Sequence, residues 1–483
     1  MRACSTSAFP VRTACGSPAR SLIVAAVVLL LVGEPAAAQS ASRVETAGQA
    51  QGNGVTTPDK PEAQDPPDKQ HKSKDDKGKK NKKDKDKKEP EPEGIHFALR
   101  DHPTLVFSKK TYVDFRARFR ADATDSELGI REDEVTQTDD PKRRIGVGGD
   151  VEHLVEFQIE RELSGDDPWR DVFANYHQFD FAQLQGGKFK LPFSLDENTS
   201  PANLDFVFRS LAANHLAPGR DIGVMVHGRV LKRIVRYELG KFDHDGRNGR
   251  TRNLERVYGD QTIAGRVTVQ PFRGTKSVGE DLQVGVAFTS SDVPLGYTSL
   301  RGQTFLNATF FKPDFLVQGQ RRRVGFELRW RPGPFSVKSE YMRVTTERLG
   351  QSVEDTDLSP LLATGWYVSG TWAITGERKA DGLMSPRRPL LQGGYGAIEV
   401  AGRIERLAFG SEASGEPPST SIRADVIQGN ADRAVTLGVN WYVNRWIKLQ
   451  FNTIKETLSD PELGPLPSKA SFWTRVFRLQ LSL

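Results

Sequence analysis

Arginine recurs at every second position in two stretches of the chain, Arg116, Arg118 and Arg120, then Arg321 and Arg323 with Arg329 and Arg331; Lys188 and Lys190 repeat the spacing. Alternate residues of an extended strand lie about 6.6 Å apart on one face. Each row would therefore present a ladder of cations to a single surface. A guanidinium is planar, always charged, and offers paired donors to two oxygens of one anion. The chemistry these rows suit is the passage of an anion that sheds its hydration shell and is held by side-chain donors weakly enough to leave again. Nucleophilic catalysis has no comparable support. The chain has eight His, none beside a plausible nucleophile, and contains neither G-x-S-x-G nor H-E-x-x-H.

The elements that must position these rows follow from the alternation around them. Val113, Phe115, Ala117 and Phe119 oppose Tyr112, Asp114, Arg116, Arg118 and Arg120; Val324, Phe326, Leu328 and Trp330 oppose Arg321, Arg323, Glu327, Arg329 and Arg331. Period two with one apolar face is the pattern of a strand. It recurs from about Ile95 to the end, as in Val435 to Val443 and Ile447 to Phe451. Strands of about ten residues, alternately short and long connections, and the absence of cysteine after Cys15 fit a transmembrane antiparallel up-and-down β-barrel, an all-β fold. Even parity and short turns at one end place sixteen strands near 108–121, 143–151, 154–163, 170–181, 184–191, 221–230, 233–243, 262–272, 282–291, 321–331, 335–348, 363–375, 395–409, 432–443, 447–457 and 472–483. Two connections fit poorly: Gly376 to Gly394 is long for a periplasmic turn, and Ser164 to Trp169 is short for an exterior loop. Arg475, on the apolar face with Trp473 and Phe477, should lie at the lipid head groups.

Ahead of the barrel, the apolar run Leu22 to Val32 follows Arg20 and precedes Ala36-Ala37-Ala38. Eleven residues are too few for a membrane-spanning helix, which needs about 20. Residues 1–38 read as a cleaved signal peptide, which implies export. Cysteine is then missing from the mature chain, so disulfides, thiolate metal sites and cysteine nucleophiles are excluded; no cofactor or metal is expected. Residues 39–94 carry 13 basic and 12 acidic residues and almost no large apolar side chain, the composition of a disordered, solvated spacer. Nucleic acid is not an expected partner of an exported chain.

Gly187-Lys188-Phe189-Lys190-Leu191-Pro192-Phe193-Ser194, Asn198-Thr199-Ser200, Phe208-Arg209-Ser210-Leu211 and Ala217-Pro218-Gly219-Arg220-Asp221 follow one another in an order that resembles the central signature of the phosphate-selective porin O and P family. Further matches are Gly325-Phe326-Glu327-Leu328-Arg329-Trp330, Gly333-Pro334-Phe335, Glu340-Tyr341, Gly365-Trp366-Tyr367-Val368, Thr375-Gly376-Glu377 and Tyr395-Gly396-Ala397-Ile398-Glu399. The resemblance spans roughly Lys109 to Leu483. It implies a trimeric outer-membrane porin of a Gram-negative bacterium for small anions such as phosphate or polyphosphate, with a third exterior loop folded inward and basic side chains guiding the anion. Family members whose solute is not phosphate leave the substrate open, and the final Leu483 stands where such barrels commonly end in an aromatic residue.

On this frame the anion path would comprise Arg116, Arg118, Arg120, Lys188, Lys190, Arg321, Arg323, Arg329 and Arg331. The connection from Pro192 to Arg220 is the third exterior loop, where Asp196, Glu197 and Asp205 would anchor the loop to the basic wall while Arg209 and Arg220 face the ion. From Ile95 onward there are 38 Arg and 14 Lys against 49 acidic residues, so selectivity must come from local placement and not from net charge. The competing assignment is that the arginines pair with Asp114, Asp150, Glu156, Glu160, Glu238, Glu327 and Glu399 inside the barrel. Functional alternatives are a weakly selective diffusion pore and a barrel that tethers the envelope through its Lys-rich spacer.

Overall fold

Alternating apolar and charged residues leave a sheet with one face for lipid and one for water, and only closure satisfies the backbone at the sheet edges. The computed structural model describes residues 94–483 except 101, 129–140, 166–167, 250, 252–260, 313, 380–381 and 416. The expected signal peptide and, apart from Gly94, the spacer lie outside the described residues. Sixteen strands form the closed antiparallel barrel: β1 (Thr111–Ser126), β2 (Lys142–Val151), β3 (Val155–Glu162), β4 (Trp169–Phe179), β5 (Ala182–Lys190), β6 (Arg220–Val230), β7 (Val235–Phe242), β8 (Thr262–Val269), β9 (Gln283–Tyr297), β10 (Leu316–Trp330), β11 (Phe335–Arg348), β12 (Leu358–Ala373), β13 (Ala397–Ser411), β14 (Asn430–Tyr442), β15 (Ile447–Leu458) and β16 (Ser471–Ser482). Each pairs with its neighbour in the chain, and β16 closes onto β1 from Thr474 opposite Ser126 to Ser482 opposite Arg118.

The strand count and order match the sequence expectation; several ends differ. The turn expected at Ala182-Gln183 lies at Asp180-Phe181, held by a bidentate pair from Arg233 to Asp180 at 2.7 and 2.8 Å. A displacement of two residues keeps every side chain on its face, so alternation alone could not distinguish the two positions. On the exterior side β9, β10 and β12 run on through Ser, Gly and Pro, with an irregularity between Val293 and Gly296. A hairpin of His96–Leu99 and Pro103–Ser108, not expected from the sequence, adds to the start of β1 and continues its sheet below β16. Its strands are short and one opens on a proline, which weakens the period-two signal. Arg475 keeps the outward register and meets Asp125 of β1 at 2.9 Å.

The barrel is not an empty cylinder. Phe193, Val207, Leu211 and Leu216 from the connection after β5, with Leu300, Phe305, Phe310 and Phe311 from the connection after β9, form an apolar core inside it against Leu407 and Phe409 of β13. Complete burial of a Leu or Phe contributes about 1.5–3 kcal/mol. These loops are thus held inside by the hydrophobic effect, and the water-filled space is displaced toward β1–β7.

Candidate functional site

The third exterior loop, residues 191–219, crosses the lumen as a short helix α1 (Leu195–Asn198), a single turn at Pro201–Asn203 and a second helix α2 (Leu211–Leu216). Ser194 and Ser210 cap the helices, their hydroxyls accepting the amides of Glu197 and Ala213 at 3.1 and 3.2 Å. A wall carboxylate completes the first cap: Glu340 of β11 accepts the Leu195 and Asp196 amides at 2.7 and 2.9 Å and the Tyr367 hydroxyl at 2.9 Å. Glu405 of β13 accepts the amide of Leu211 at 2.6 Å. Gly365 of β12 lets α2 lie this close, because a Cβ there would stand 2.7 Å from that of Ala212.

The middle of the loop is pinned through its backbone. Lys448 of β15 donates to the Leu204 carbonyl at 2.6 Å, Asn440 of β14 to the Asp205 carbonyl at 2.9 Å, and Gln480 of β16 to the Ala202 carbonyl at 3.0 Å. Asn452 accepts the Val207 amide at 2.7 Å. The Asp205 carboxylate lies between two ammonium groups, Lys338 of β11 and Lys379, each at 2.7 Å. Lys379 belongs to the long periplasmic connection between β12 and β13, so its unexpected length corresponds to a segment that enters the barrel from below and meets the exterior loop. Lys379 also pairs with Glu399 of β13. Burial would raise the Asp205 carboxyl, but the two lysines outweigh it and hold it far below the usual carboxylate range.

The other acids of the loop do not all reach the wall. Asp196 accepts the Ser210 amide at 2.8 Å and closes the loop on itself. Glu197 is buried against Arg209 at 3.4 Å and against Arg247 of the connection after β7 at 3.1 Å. Burial would raise its pKa, yet Arg209 and Arg247 hold it at about 2. Arg209 also donates to the carbonyls of Asp196 and Thr199. Arg220 forms a bidentate pair with Asp171 of β4 at 3.0 and 2.7 Å.

The basic rows separate into two kinds. Arg321 and Arg323, expected on the anion path, are fully buried and both clamp Asp245, at 2.9 and 2.6 Å, while Arg323 donates to the Leu216 carbonyl at 2.8 Å. The inward loop covers them, and their guanidiniums hold loops. Arg331 pairs with Asp281 at 2.6 Å, and Arg329 lies 3.8 Å from the same carboxylate. Lys188 stands opposite Ile222, in the outward row of Leu184 and Val224, and does not share the inner face expected for it. Buried Phe189 and Met225 set that register. Lys190, where the chain turns into the loop, does reach inside and donates to the carbonyls of Glu197 and Thr199.

Arg116 and Arg118 line a cavity of about 760 Å³ between the loop and the wall of β1–β7, together with Arg144, Lys190, Arg220, Arg236 and Arg445. Three side-chain carboxylates line it among the described residues, Glu160, Asp171 and Glu238, and they pair with Arg144 at 3.1 Å, Arg220 at 2.7 Å and Arg236 at 2.7 Å. Among the described residues Arg116 donates to the neutral side chain of Gln158, at 2.6 Å. Arg118 reaches Ser200 of the loop at 3.5 Å and leaves Nε and Nη1 with no partner among the described residues. Arg120, further along the row, is close to the Arg478–Asp122 pair and does not line the cavity. The expected carboxylate pairing inside the barrel therefore exists, but it occupies Arg144, Arg236 and Arg266, and no side-chain carboxylate pairs with Arg116 or Arg118 among the described residues. Sequence reasoning passed over Arg144, Arg236, Glu340 and Lys379. The Arg143-Arg144 doublet and the anomalous length of the Lys379 loop were the available signals.

A family model for the phosphate-selective porin O and P matches residues 113–481. Among solved structures, OmpT, an outer membrane protein of Vibrio cholerae, is similar with a TM-score of 0.47 and 12% identity over 78% of this chain and 99% of that one. The outer membrane channel DcaP of Acinetobacter baumannii gives 0.48 and 11% over 78% and 99%, and Salmonella typhi OmpF in complex with daunomycin gives 0.48 and 8% over 78% and 99%. No curated protein matches the chain.

Proposed function

The chain belongs to the phosphate-selective porin O and P family, an outer-membrane channel for anions, and from that premise we propose that it carries small oxyanions, phosphate foremost, along the wall of β1–β7. The observation that carries this reading is the pair Arg116 and Arg118, open to the cavity of about 760 Å³ with no carboxylate partner among the described residues. In the proposed path an anion meets these guanidiniums, exchanges water for their donors, and passes to Lys190 and the loop. Arg209, Glu197 and Asp205 hold the aperture and do not meet the ion. The role is conduction and not catalysis. The working unit is proposed to be a homotrimer in outer-membrane lipid, with residues 39–94 as a solvated spacer after a cleaved leader.

A weakly selective pore is the second reading, favoured by Glu160, Asp171 and Glu238 on the same cavity. Planar-bilayer recording separates the two. A reversal potential of anion sign under a potassium chloride gradient, with current blocked by added phosphate, supports the first. Anion sign with indifference to phosphate supports the second, cation preference refutes both, and closed barrels without conductance would favour a tether.

A further inference from the structure

The outer face of β13–β16 carries charge that the protein does not balance. Its outward side chains are apolar through the middle of the barrel and turn basic toward the exterior, at Arg406, Arg433, Lys455 and Arg475, all exposed. The lipid-facing apolar band of such a barrel is about 25 Å tall and ends at the head groups. These cations, next in line beyond it, stand at the level of the outer leaflet's polar groups. Arg406 lies directly opposite Arg433 in the ladder. Opposite residues on one face have Cβ atoms about 4.5–5.5 Å apart, and like charges placed there repel. The nearby outward acids are engaged elsewhere: Asp125 holds Arg475 at 2.9 Å, and Glu412, just past β13, holds Arg343 of β11. Lys455 lies over the ring of Trp473, 5.6 Å from its centroid. Arg406 and Arg433 are left without an acidic partner among the described residues. One step toward the periplasm on the same face, Ile404 and Val435 also stand opposite each other. A molecule that joins a phosphate to acyl chains meets both rows at once, whereas a free phosphate meets only exposed guanidiniums, where ion pairing contributes little.

We infer that the outer face of β13–β16 binds a phosphorylated lipid of the outer leaflet, with Arg406 and Arg433 holding its phosphate from two adjacent strands and the apolar row below them taking its acyl chains. Paired guanidinium donors suit two oxygens of one phosphate, and the anion offsets the repulsion between the two arginines. The site lies on the opposite side of the barrel wall from the lumen and does not depend on which solute the pore carries.

The full chain, purified in a nonionic detergent, tests this by native mass spectrometry with lipid A as the probe, beside lipid A stripped of its phosphates and inorganic phosphate. The parent is expected to retain lipid A and to hold the stripped lipid at least about tenfold more weakly. Arg406→Gln and Arg433→Gln are each expected to weaken lipid A binding by about tenfold, the loss of one charge-assisted contact. Arg343→Gln, whose arginine already has Glu412, is expected to stay within about twofold of the parent. Equal retention of the stripped lipid, or parental affinity in both arginine variants, overturns phosphate recognition at this face. Displacement of lipid A by inorganic phosphate at equal concentration overturns the assignment to a lipid, because the acyl chains would then add nothing. The comparison of the two lipids on the parent decides the question even if a variant fails to assemble.

Discussion

Asp205→Asn removes one charge from a buried cluster and changes almost nothing in shape. The carboxylate holds two ammonium groups at 2.7 Å each, one on the barrel and one on the periplasmic loop. Asparagine keeps the backbone carbonyl that Asn440 binds but leaves Lys338 buried without its counter-charge. Breaking one side of a buried pair costs about 3–5 kcal/mol. The barrel itself should stand, because its strand ladders and the pins at Leu204, Val207 and Leu211 are untouched. The cost instead falls on the docked state of the two loops, whose undocked population should rise by up to roughly 150- to 5,000-fold. In bilayer recordings the variant should close at lower voltage and show noisier open current, and added protease should cut within residues 191–219 faster than in the parent. Lys379→Met should do the same, and the double variant should lose less than the sum of the two, because the buried charge stranded by each single change is then gone. Parental voltage dependence and protease resistance in Asp205→Asn, or strict additivity in the double variant, would refute the role of Asp205 in holding the two loops together.

Arg116→Gln and Arg118→Gln should each lower the chloride-to-potassium permeability ratio by several-fold, as expected for losing a charge worth about 1 kcal/mol near the ion, whereas Arg321→Gln should instead lower loop stability; reversal potentials and protease rates distinguish them. Gly365→Val should push α2 off the wall, since even a Cβ meets Ala212 at 2.7 Å, at a cost of about 1–3 kcal/mol; a larger unitary conductance would report it. Burial, with Arg247 nearby, depresses His215 of α2 to about 3, so the folded loop keeps it neutral while the undocked loop protonates near 6.5. Below that pH the undocked form binds more protons, and docking should weaken by about 1.4 kcal/mol per pH unit down to about 3 and be constant above 6.5. Glu197 and Asp205, held low by their cations, stay ionised between pH 5 and 7 and add no slope there. Loop cleavage measured from pH 7 to 5 should accelerate more in the parent than in His215→Asn.

The barrel was legible because each strand has to solve the same local problem. Val435 to Val439 faces lipid at every second residue whatever happens elsewhere in the chain, and sixteen repetitions of that constraint leave little freedom in count or order. Where the constraint is weaker the reading failed by small steps: a two-residue shift at Asp180-Phe181 preserves both faces, and the hairpin of residues 96–108 is too short to show a period. The loops obey no such rule. Nothing local to Phe193, Leu211 and Phe310 distinguishes apolar side chains that face lipid from those that pack inside a barrel. Only the chain path decides, and that path depends on partners such as Glu340, more than 140 residues away.

The same non-local dependence governs the arginines. Arg118 and Arg323 have the same spacing, neighbours of the same kind and the same inward face, and no local signal separates them. What separates them is the loop: it packs on β10–β16 and meets β1 and β5 through the long side chains of Arg118 and Lys190, with the large cavity between. Under the loop a guanidinium loses water and must be satisfied by protein, so Arg323 acquires Asp245 and the Leu216 carbonyl. Beside the loop Arg118 borders the large cavity, and its buried Nε and Nη1 have no protein partner among the described residues. A redesign that moved the loop's apolar residues to the opposite wall should therefore exchange the roles of the two rows. The proposed anion path is then a property of where the loop lies, with the arginine ladders supplying it on whichever wall remains uncovered.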